Sequence, residues 1–307
     1  MDFGDILGII QSVTELGLIS SLTVLALFLS YSMLNVCDLS TDGCFTLGAA
    51  VGAVVALSGH PYLSIPAAMA AGVLSGFVTA FLQTRMGINS LLSGIIVNTG
   101  LYSVNIAVMG GASILNLNKT ETVFTKVKAL LENTFLDGWQ KVIVALVAVV
   151  LVLIFMVIFL KTRLGLAIRA TGDNTEMVRY SSINPVFTTT VGLCVANAFT
   201  ALSGCLLAQS QKFSDINMGQ GIVTVALASL LIGGSIFSRA SVKVRAIGAV
   251  AGAIIFRLVY AIALRFQMPS YMLKLVSAVI VIFAIFIPYI KKQYPMLAKR
   301  IFRRKEA

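Results

Sequence analysis

Amide and hydroxyl side chains recur inside long apolar stretches of this sequence. The positions with this pattern are Asn35, Thr41, Asn89, Ser93, Asn98 and Asn197. Polar groups within a membrane are costly, and those that occur there commonly line a solute path or join neighbouring helices by hydrogen bonds. The six residues predict a path with weak, exchangeable hydrogen bonds to a polar solute, and helix-to-helix bonding is the alternative that the residues alone leave open.

Charged residues are rare in the apolar runs. Asp38 and Asp42 fall in the polar break between the first two runs, and the runs themselves are expected to lack the buried carboxylates of a proton relay. Arg257 is the one strong charge well inside a run. Its long stem could carry the guanidinium to an interface, or the head could meet the carboxylate of a solute.

Motifs for catalysis are absent from the sequence. No GxxxxGK[ST] phosphate loop, HExxH, GxSxG or CxxC occurs, and the only histidine, His60, stands beside Pro61 in a tight turn. The four cysteines have no metal-ligand spacing, so we expect no metal site and no cofactor on this chain. The sequence indicates a transport protein rather than an enzyme, with energy supplied by a partner or by an ion gradient.

The composition indicates a helical membrane protein. Of 307 residues, 58% are hydrophobic and only 11% are charged, whereas a soluble domain carries about a quarter charged residues. We predict an all-α, polytopic fold with about nine transmembrane segments, within a range of eight to ten. The segments lie near residues 15–36, 43–58, 61–84, 90–110, 139–160, 186–208, 220–237, 244–265 and 270–290. The second and seventh are short enough to be re-entrant or broken.

Lysine and arginine set the expected orientation. With a cytoplasmic C-terminus, most of these residues fall on the inner side and the acidic N-terminus lies outside. One permease-like transmembrane domain then covers 1–290, with an outer loop at 111–138, a second outer loop at 209–220 and a basic cytoplasmic tail at 291–307. The net charge of +11 fits attraction to anionic lipid, and basic residues confined to short loops argue against nucleic-acid binding.

The segment 161–184 is polar and basic between two apolar runs, which predicts a small cytoplasmic helical hairpin. Gly165 is expected to end the preceding helix. Asp173 and Glu176 have the spacing of a capping box, which predicts a short helix over 174–182. Asn184 and Pro185 supply an N-cap and a first-turn proline for the next span. Such an element could pass force from a partner to the membrane domain.

Four blocks of the sequence resemble one family. They are LSTDGCFTLGAAVGA (39–53), RLGLAIRATGDNTEMVRYSSIN (163–184), AFTALSGCLLAQ (198–209) and GIVTVALASLLIGG (221–234). In order and spacing they resemble the permeases of ATP-binding-cassette (ABC) importers of the branched-chain amino-acid and ribose type, most closely those assigned to aromatic amino-acid uptake. Two positions differ from the family's pattern. Ser182 stands where the family usually has glycine before Ile-Asn, and Thr41–Asp42 stand where smaller or apolar residues are common.

The resemblance implies a set of partners in a bacterial cell membrane. A second permease copy would form a homodimer, two cytoplasmic ATPase subunits would carry ATP and Mg²⁺, and an extracellular binding protein would deliver the solute. The segment that contacts the ATPase would be a coupling helix. Its residues are Arg169, Ala170, Thr171, Gly172, Asp173, Asn174, Glu176, Arg179 and Tyr180.

The resemblance also implies a mechanism, which is alternating access driven by the separate ATPase. The solute would be small and polar, with an amino acid first among the candidates, and branched-chain amino acids, nucleosides and sugars remain open. The rival hypothesis is a secondary transporter or facilitator that works without an ATPase, built on inverted repeats.

Overall fold

A computed structural model of the chain describes residues 3–131, 138–237, 241–265, 275, 277–283 and 286. The first helix continues into a π-helical extension (Phe28–Met33). The helices are α1 (Phe3–Leu27), α2 (Thr41–Leu57), α3 (Ser64–Thr84), α4 (Ser90–Val108), α5 (Val123–Leu131), α6 (Gln140–Phe159), α7 (Arg163–Asp173), α8 (Thr175–Tyr180), α9 (Pro185–Gln211), α10 (Ile222–Ile236) and α11 (Val242–Arg265). The two strands are β1 (Ile114–Asn116) and β2 (Phe213–Asp215).

The fold is that of a polytopic helical membrane protein, as predicted. Six helices of the described part are long and apolar enough to cross a membrane, namely α1 with its extension, α3, α4, α6, α9 and α11. The two helices predicted to be short, α2 and α10, have 17 and 15 residues. The ninth predicted segment, 270–290, lies largely outside the described residues, and the tail 291–307 lies wholly outside them.

Helix α9 forms the centre of the bundle. In its most apolar 18-residue window 83% of the residues are buried, compared with 72% for α1 and about a third or less for α3, α4, α6 and α11. Its middle, from Asn197 to Ala208, is rich in alanine, serine, threonine and glycine. Small side chains let neighbouring helices approach closely. Close packing matters in a membrane because no hydrophobic driving force brings helices together in lipid.

The glycine pairs of the sequence lie at these contacts. Gly48 and Gly52 of α2 pack against Ala201 and Cys205 of α9, so that a methyl group at either glycine would collide with the neighbouring helix. Gly72 and Gly76 of α3 pack on the same helix, and Gly248 and Gly252 of α11 pack on α10. The GxxxG spacing therefore marks helix contacts in all three cases.

A short antiparallel ribbon adds β-structure to the predicted all-α bundle. Strand β1 pairs with β2, with Leu115 opposite Ser214. Leu117 continues the pairing by donating its N–H to the carbonyl of Lys212 at 2.9 Å, and its side chain is fully buried beside Ala53 and Ala56. The ribbon joins the two loops that were predicted to lie on the outer side. Helix α5 lies in the first of these loops.

Candidate functional site

Helices α7 and α8 form the hairpin expected after α6. Thr162 caps α7 by accepting the N–H of Gly165 at 3.2 Å, and Asn174 caps α8 by accepting the N–H of Met177 at 3.0 Å. The cap of the second helix is therefore Asn174, and the capping box predicted from Asp173 is wrong by one residue. Both residue types cap well, so the choice depends on the backbone, which is extended at Asn174 (φ −159°, ψ 103°).

The prediction that Gly165 ends α6 is wrong, because Gly165 lies in the first turn of α7. Helix α6 stops at Phe159, and its last turn is followed by a turn at Leu160–Thr162. A side chain at Gly165 would collide with the backbone of Phe159 and Leu160. The glycine therefore lets α7 fold back against the end of α6, which explains why it occurs just after the break.

The inner face of the hairpin is bound to the bundle. The hydroxyls of Thr171 in α7 and Thr188 in α9 lie 2.8 Å apart in a buried hydrogen bond. Gly172 packs directly on the backbone at Met33, where the π-helical extension of α1 ends. Ile168 is fully buried at the same junction. The hairpin is thus attached both to α9 and to the end of α1.

The opposite face of the hairpin is open. Tyr180 is 89% exposed and Met177 is 65% exposed, beside a surface ion pair between Arg179 and Glu176 at 3.2 Å. Large apolar side chains this exposed, outside the apolar spans, are typical of protein-interaction surfaces. The predicted ATPase-contact residues divide accordingly. Asp173, Asn174, Glu176, Arg179 and Tyr180 are exposed, Arg169, Ala170 and Gly172 are half-buried, and Thr171 is buried as an anchor.

A tight turn connects the hairpin to α9. Asn184 caps α9 by accepting the N–H of Val186 at 3.0 Å, and Pro185 is the first helical residue, as predicted. Ser182 has a φ of +59°, in the left-handed region that favours glycine. This geometry gives a physical reason for the family's glycine at a position where this chain has serine.

Positive charge lies at the foot of the hairpin. The pKa of Lys161, outside the spans, is lowered because its ammonium group lies beside that of Lys243 at the start of α11. Neither lysine belongs to an ion pair among the described residues. Arg245, two residues further along α11, donates to Ser32 at 2.6 Å. This face therefore carries basic charge next to the exposed hairpin.

A buried carboxylate organises the break between α1 and α2. Asp38 is only 2% exposed and accepts hydrogen bonds from the Asn197 amide at 2.9 Å and from the Ser40 hydroxyl at 2.6 Å. Thr79 of α3 extends the network by donating to Ser40 at 3.1 Å. Full pairing is what a polar group needs when it is removed from water.

The expectation that no buried carboxylate would occur in the spans is wrong. Glu15 in α1 is buried and accepts a hydrogen bond from Ser210, with Lys141 at 3.7 Å. Asp38 is buried because the break folds back against α9 instead of leaving the bundle. Hydropathy alone does not reveal either partner, since each lies more than 150 residues away along the chain.

The two short helices begin at the same depth, near the middle of their neighbours. Gly43 at the start of α2 faces Asn98 and Leu101, halfway along α4. The carboxylate of Asp42, one residue earlier, accepts the N–H groups of Gly221 and Val223 at the start of α10, at 3.0 and 2.8 Å. The two short helices therefore start close to each other inside the bundle, and interrupted helices of this kind form solute sites in many transporters.

The predicted path residues lie in different settings. Thr41, Asn98 and Asn197 gather around the start of α2, where Thr41 is buried and donates to the Asp38 carbonyl at 2.9 Å. Ser93 is buried in the first turn of α4. Asn89 caps α4 by accepting the N–H of Leu91 at 3.0 Å, and both it and Asn35 are exposed. Their role along a solute path stays a prediction.

Asp38 and Asp42 were not among the predicted site residues, although both organise this centre. The signal available was their position in the polar break. Asn105, seven residues after Asn98, also reaches the centre and donates to the Gly43 carbonyl at 3.2 Å. Its amide oxygen is buried and unpaired in the described part of the structure.

Comparison with known proteins gives one family and several relatives. Residues 9–285 match the family described as "Branched-chain amino acid transport system / permease component". The chain is 32% identical over 275 residues to the tyrosine transport system permease protein of Clostridioides difficile, covering 89% of this chain and 86% of the relative. It is 25% identical over 258 residues to the ribose import permease protein RbsC of Escherichia coli, covering 81% and 76%. No solved structure matched the chain.

Proposed function

Since this chain belongs to the permease family of branched-chain amino-acid transport systems, we propose that it is the membrane subunit of an ATP-driven amino-acid importer. It is a multi-pass protein of the bacterial plasma membrane. Permeases of this kind work with ATPase subunits and a binding protein, and ATP and Mg²⁺ would be bound by the ATPase rather than by this chain.

The observation that carries the proposal is the two-sided hairpin of α7 and α8. One face is bound to α9 and to the end of α1, through the hydroxyls of Thr171 and Thr188 at 2.8 Å. The other face exposes Met177 and Tyr180 beside charged residues. An element that is anchored to the bundle on one face and exposes large apolar side chains among charged ones on the other fits a coupling helix. Closure of an ATPase pair would push it and thereby tilt α9.

The route of the solute is proposed at the start of α2 and α10. Thr41, Asn98 and Asn197 offer hydroxyl and amide groups there, and Asp42 joins the starts of the two short helices. A tilt of α9 would move Asn197 relative to Asp38 and alter the space around α2. Hydrogen bonds from such groups are worth about 1 kcal/mol each, which would allow a solute to bind and to leave.

Further partners are proposed from the surfaces. The binding protein would dock on the side of the β1–β2 ribbon and α5, which carries Glu121 and Lys126 as an exposed ion pair at 3.2 Å. A second copy of the chain would pair through peripheral spans such as α3 or α4. Exposed large apolar residues on α3 and α4 include Leu74, Phe77, Ile96 and Tyr102.

An amino acid, and an aromatic one first, is the proposed solute. It is supported by the identity and coverage of the tyrosine permease, which exceed those of the ribose permease. The direct test uses vesicles that contain the permease, its ATPase and its binding protein. We expect ATP-dependent uptake of labelled tyrosine, faster than that of leucine or ribose. ATP-dependent uptake of ribose alone would contradict the proposed solute but support the proposed importer function.

The rival function is gradient-driven transport without an ATPase. The buried Glu15 and Asp38 favour this alternative, because intramembrane carboxylates can carry protons. Both accept hydrogen bonds from the distant helix α9. Vesicles holding the permease alone, with an imposed proton gradient and no ATP, decide between the two. Uptake under those conditions would exclude the ATP-driven proposal.

A further inference from the structure

A small cavity lies where α1, α2, α9, α10 and α11 meet. Its volume is about 10 Å³, which is room for one water molecule or one ion of similar size. Its wall is mostly apolar, with Leu16, Ile19, Phe45 and Ile222 among its residues. The polar side chains that line it are Ser20, Thr23, Ser203 and Arg257.

Two of these polar groups are buried donors without an acceptor. Nε of Arg257 and the hydroxyl of Thr23 have no hydrogen-bond partner in the part of the chain that the structure describes. The other two hydroxyls are occupied, because Ser203 donates to the Ile19 carbonyl at 2.7 Å and Ser20 donates to the Gly17 carbonyl at 3.1 Å. The cavity therefore has an unpaired guanidinium N–H and an unpaired hydroxyl, which can donate or accept.

The charge of Arg257 is also unmatched at the cavity. No carboxylate is among the described residues that line it. The nearest acids along the adjoining elements have other partners, since Glu15 is bound to Ser210 and Lys141, and Asp42 caps α10. A guanidinium in an apolar setting without a counter-charge is strongly unfavourable. A small anion would accept hydrogen bonds from both groups and would balance the charge of Arg257.

We propose that this cavity binds a monovalent anion between Nε–H of Arg257 and the hydroxyl of Thr23. In the described conformation the space is about that of one water molecule, so a halide such as chloride needs a slight widening and an amino acid is too large. The same groups would donate hydrogen bonds to the carboxylate of a solute if the helices separated. A halide and a solute carboxylate are both anions that accept hydrogen bonds, and the binding measurement distinguishes them.

The test is the thermal unfolding of the purified protein in gluconate buffer, with chloride or bromide added in steps. We expect a saturable rise in Tm for the wild type, because a ligand that binds only the folded state stabilises it. Thr23→Val keeps the side-chain shape and removes the donor, and it should weaken halide binding by roughly tenfold, the equivalent of one hydrogen bond. Arg257→Gln should abolish the rise.

A second arm replaces the halide with tyrosine or with tyramine, which lacks the carboxylate. A rise in Tm with tyrosine alone, lost in Thr23→Val, would support the site with the solute as its source, and would not depend on ATP-driven uptake. Equal rises with both compounds, together with no halide effect, would overturn it. A halide effect that is the same in wild type and Thr23→Val would also overturn the proposal, even if Arg257→Gln does not fold.

Discussion

Asp42, in the first turn of α2, accepts the backbone N–H of Val223 in the first turn of α10 at 2.8 Å. The second oxygen of the carboxylate accepts the N–H of Gly221 at 3.0 Å. One side chain thus pairs N–H groups at the start of a helix about 180 residues later in the chain and joins the two short helices to each other. Unpaired N–H groups are far more costly inside a membrane than at a surface.

Removal of this cap should destabilise the protein. We expect Asp42→Ala to reduce the free energy of unfolding by about 1–2 kcal/mol, the usual value of a helix cap, or by more because water is excluded. Asp42→Asn retains one acceptor oxygen, so its free energy of unfolding should lie between those of the wild type and Asp42→Ala. Thermal unfolding in detergent measures this, with exposed Asp173→Asn as the control. An Asp42→Ala variant that melts like the wild type would show that α10 does not depend on this cap.

The bond between Asp38 and Asn197 should also contribute to stability. Asn197→Asp would bring a second carboxylate against Asp38, so the like charges should destabilise more than the loss of the amide in Asn197→Ala. A double-mutant cycle with Asp38→Asn should give a coupling energy of about 0.5–3 kcal/mol, typical of residues in one network. Additive effects would mean that the two groups do not interact in solution.

Ser182 should be replaceable by glycine with a gain in stability. Its φ of +59° is strained for serine, and relief of the strain is expected to stabilise by about 0.5–1 kcal/mol. The neighbouring Ser181 has a φ of −88°, so Ser181→Gly should be neutral or destabilising. A comparison of the two melting temperatures is internally controlled. The reverse order would contradict the assigned turn.

Glycines at the helix contacts should not tolerate even a methyl group. Gly48→Ala would force α2 away from Ala201 of α9 and should cost about 1–3 kcal/mol, as overpacking does. Gly100 of α4 has open space where a side chain would be, so Gly100→Ala should be neutral or stabilising through helix propensity. Folded yield and melting temperature separate the two. Equal tolerance at both positions would exclude close packing of α2 on α9.

Local sequence features predicted the helices and several of their ends. The apolar runs indicated α2 and α10 as short, and Asn184–Pro185 marked the start of α9, because these signals depend on neighbouring residues only. The cap at Asn174 was misplaced by one residue because Asp173 is an equally good capping residue. The partners of Asp38 and Asp42 could not be predicted, since they depend on which distant helices meet and at what depth.

The same limit applies to the ribbon and to Arg257. Strand β1 is three residues long and forms only because β2 lies next to it, nearly 100 residues later. For Arg257 the sequence left open an interface or a solute role. Its unpaired Nε could not be predicted, because it depends on how five helices pack around the cavity.

The central claim is that the α7–α8 hairpin transmits the work of an ATPase. Its most direct test is capture of the ATPase subunit by the purified permease, comparing wild type with the double variant Met177→Asp, Tyr180→Asp. The control is Ile114→Asp, which places the same charge on an exposed apolar residue of the ribbon. We expect the hairpin variant to lose ATPase binding at least about tenfold while it folds normally, and the control to retain it. Undiminished binding and ATP-driven uptake by the hairpin variant would contradict the account.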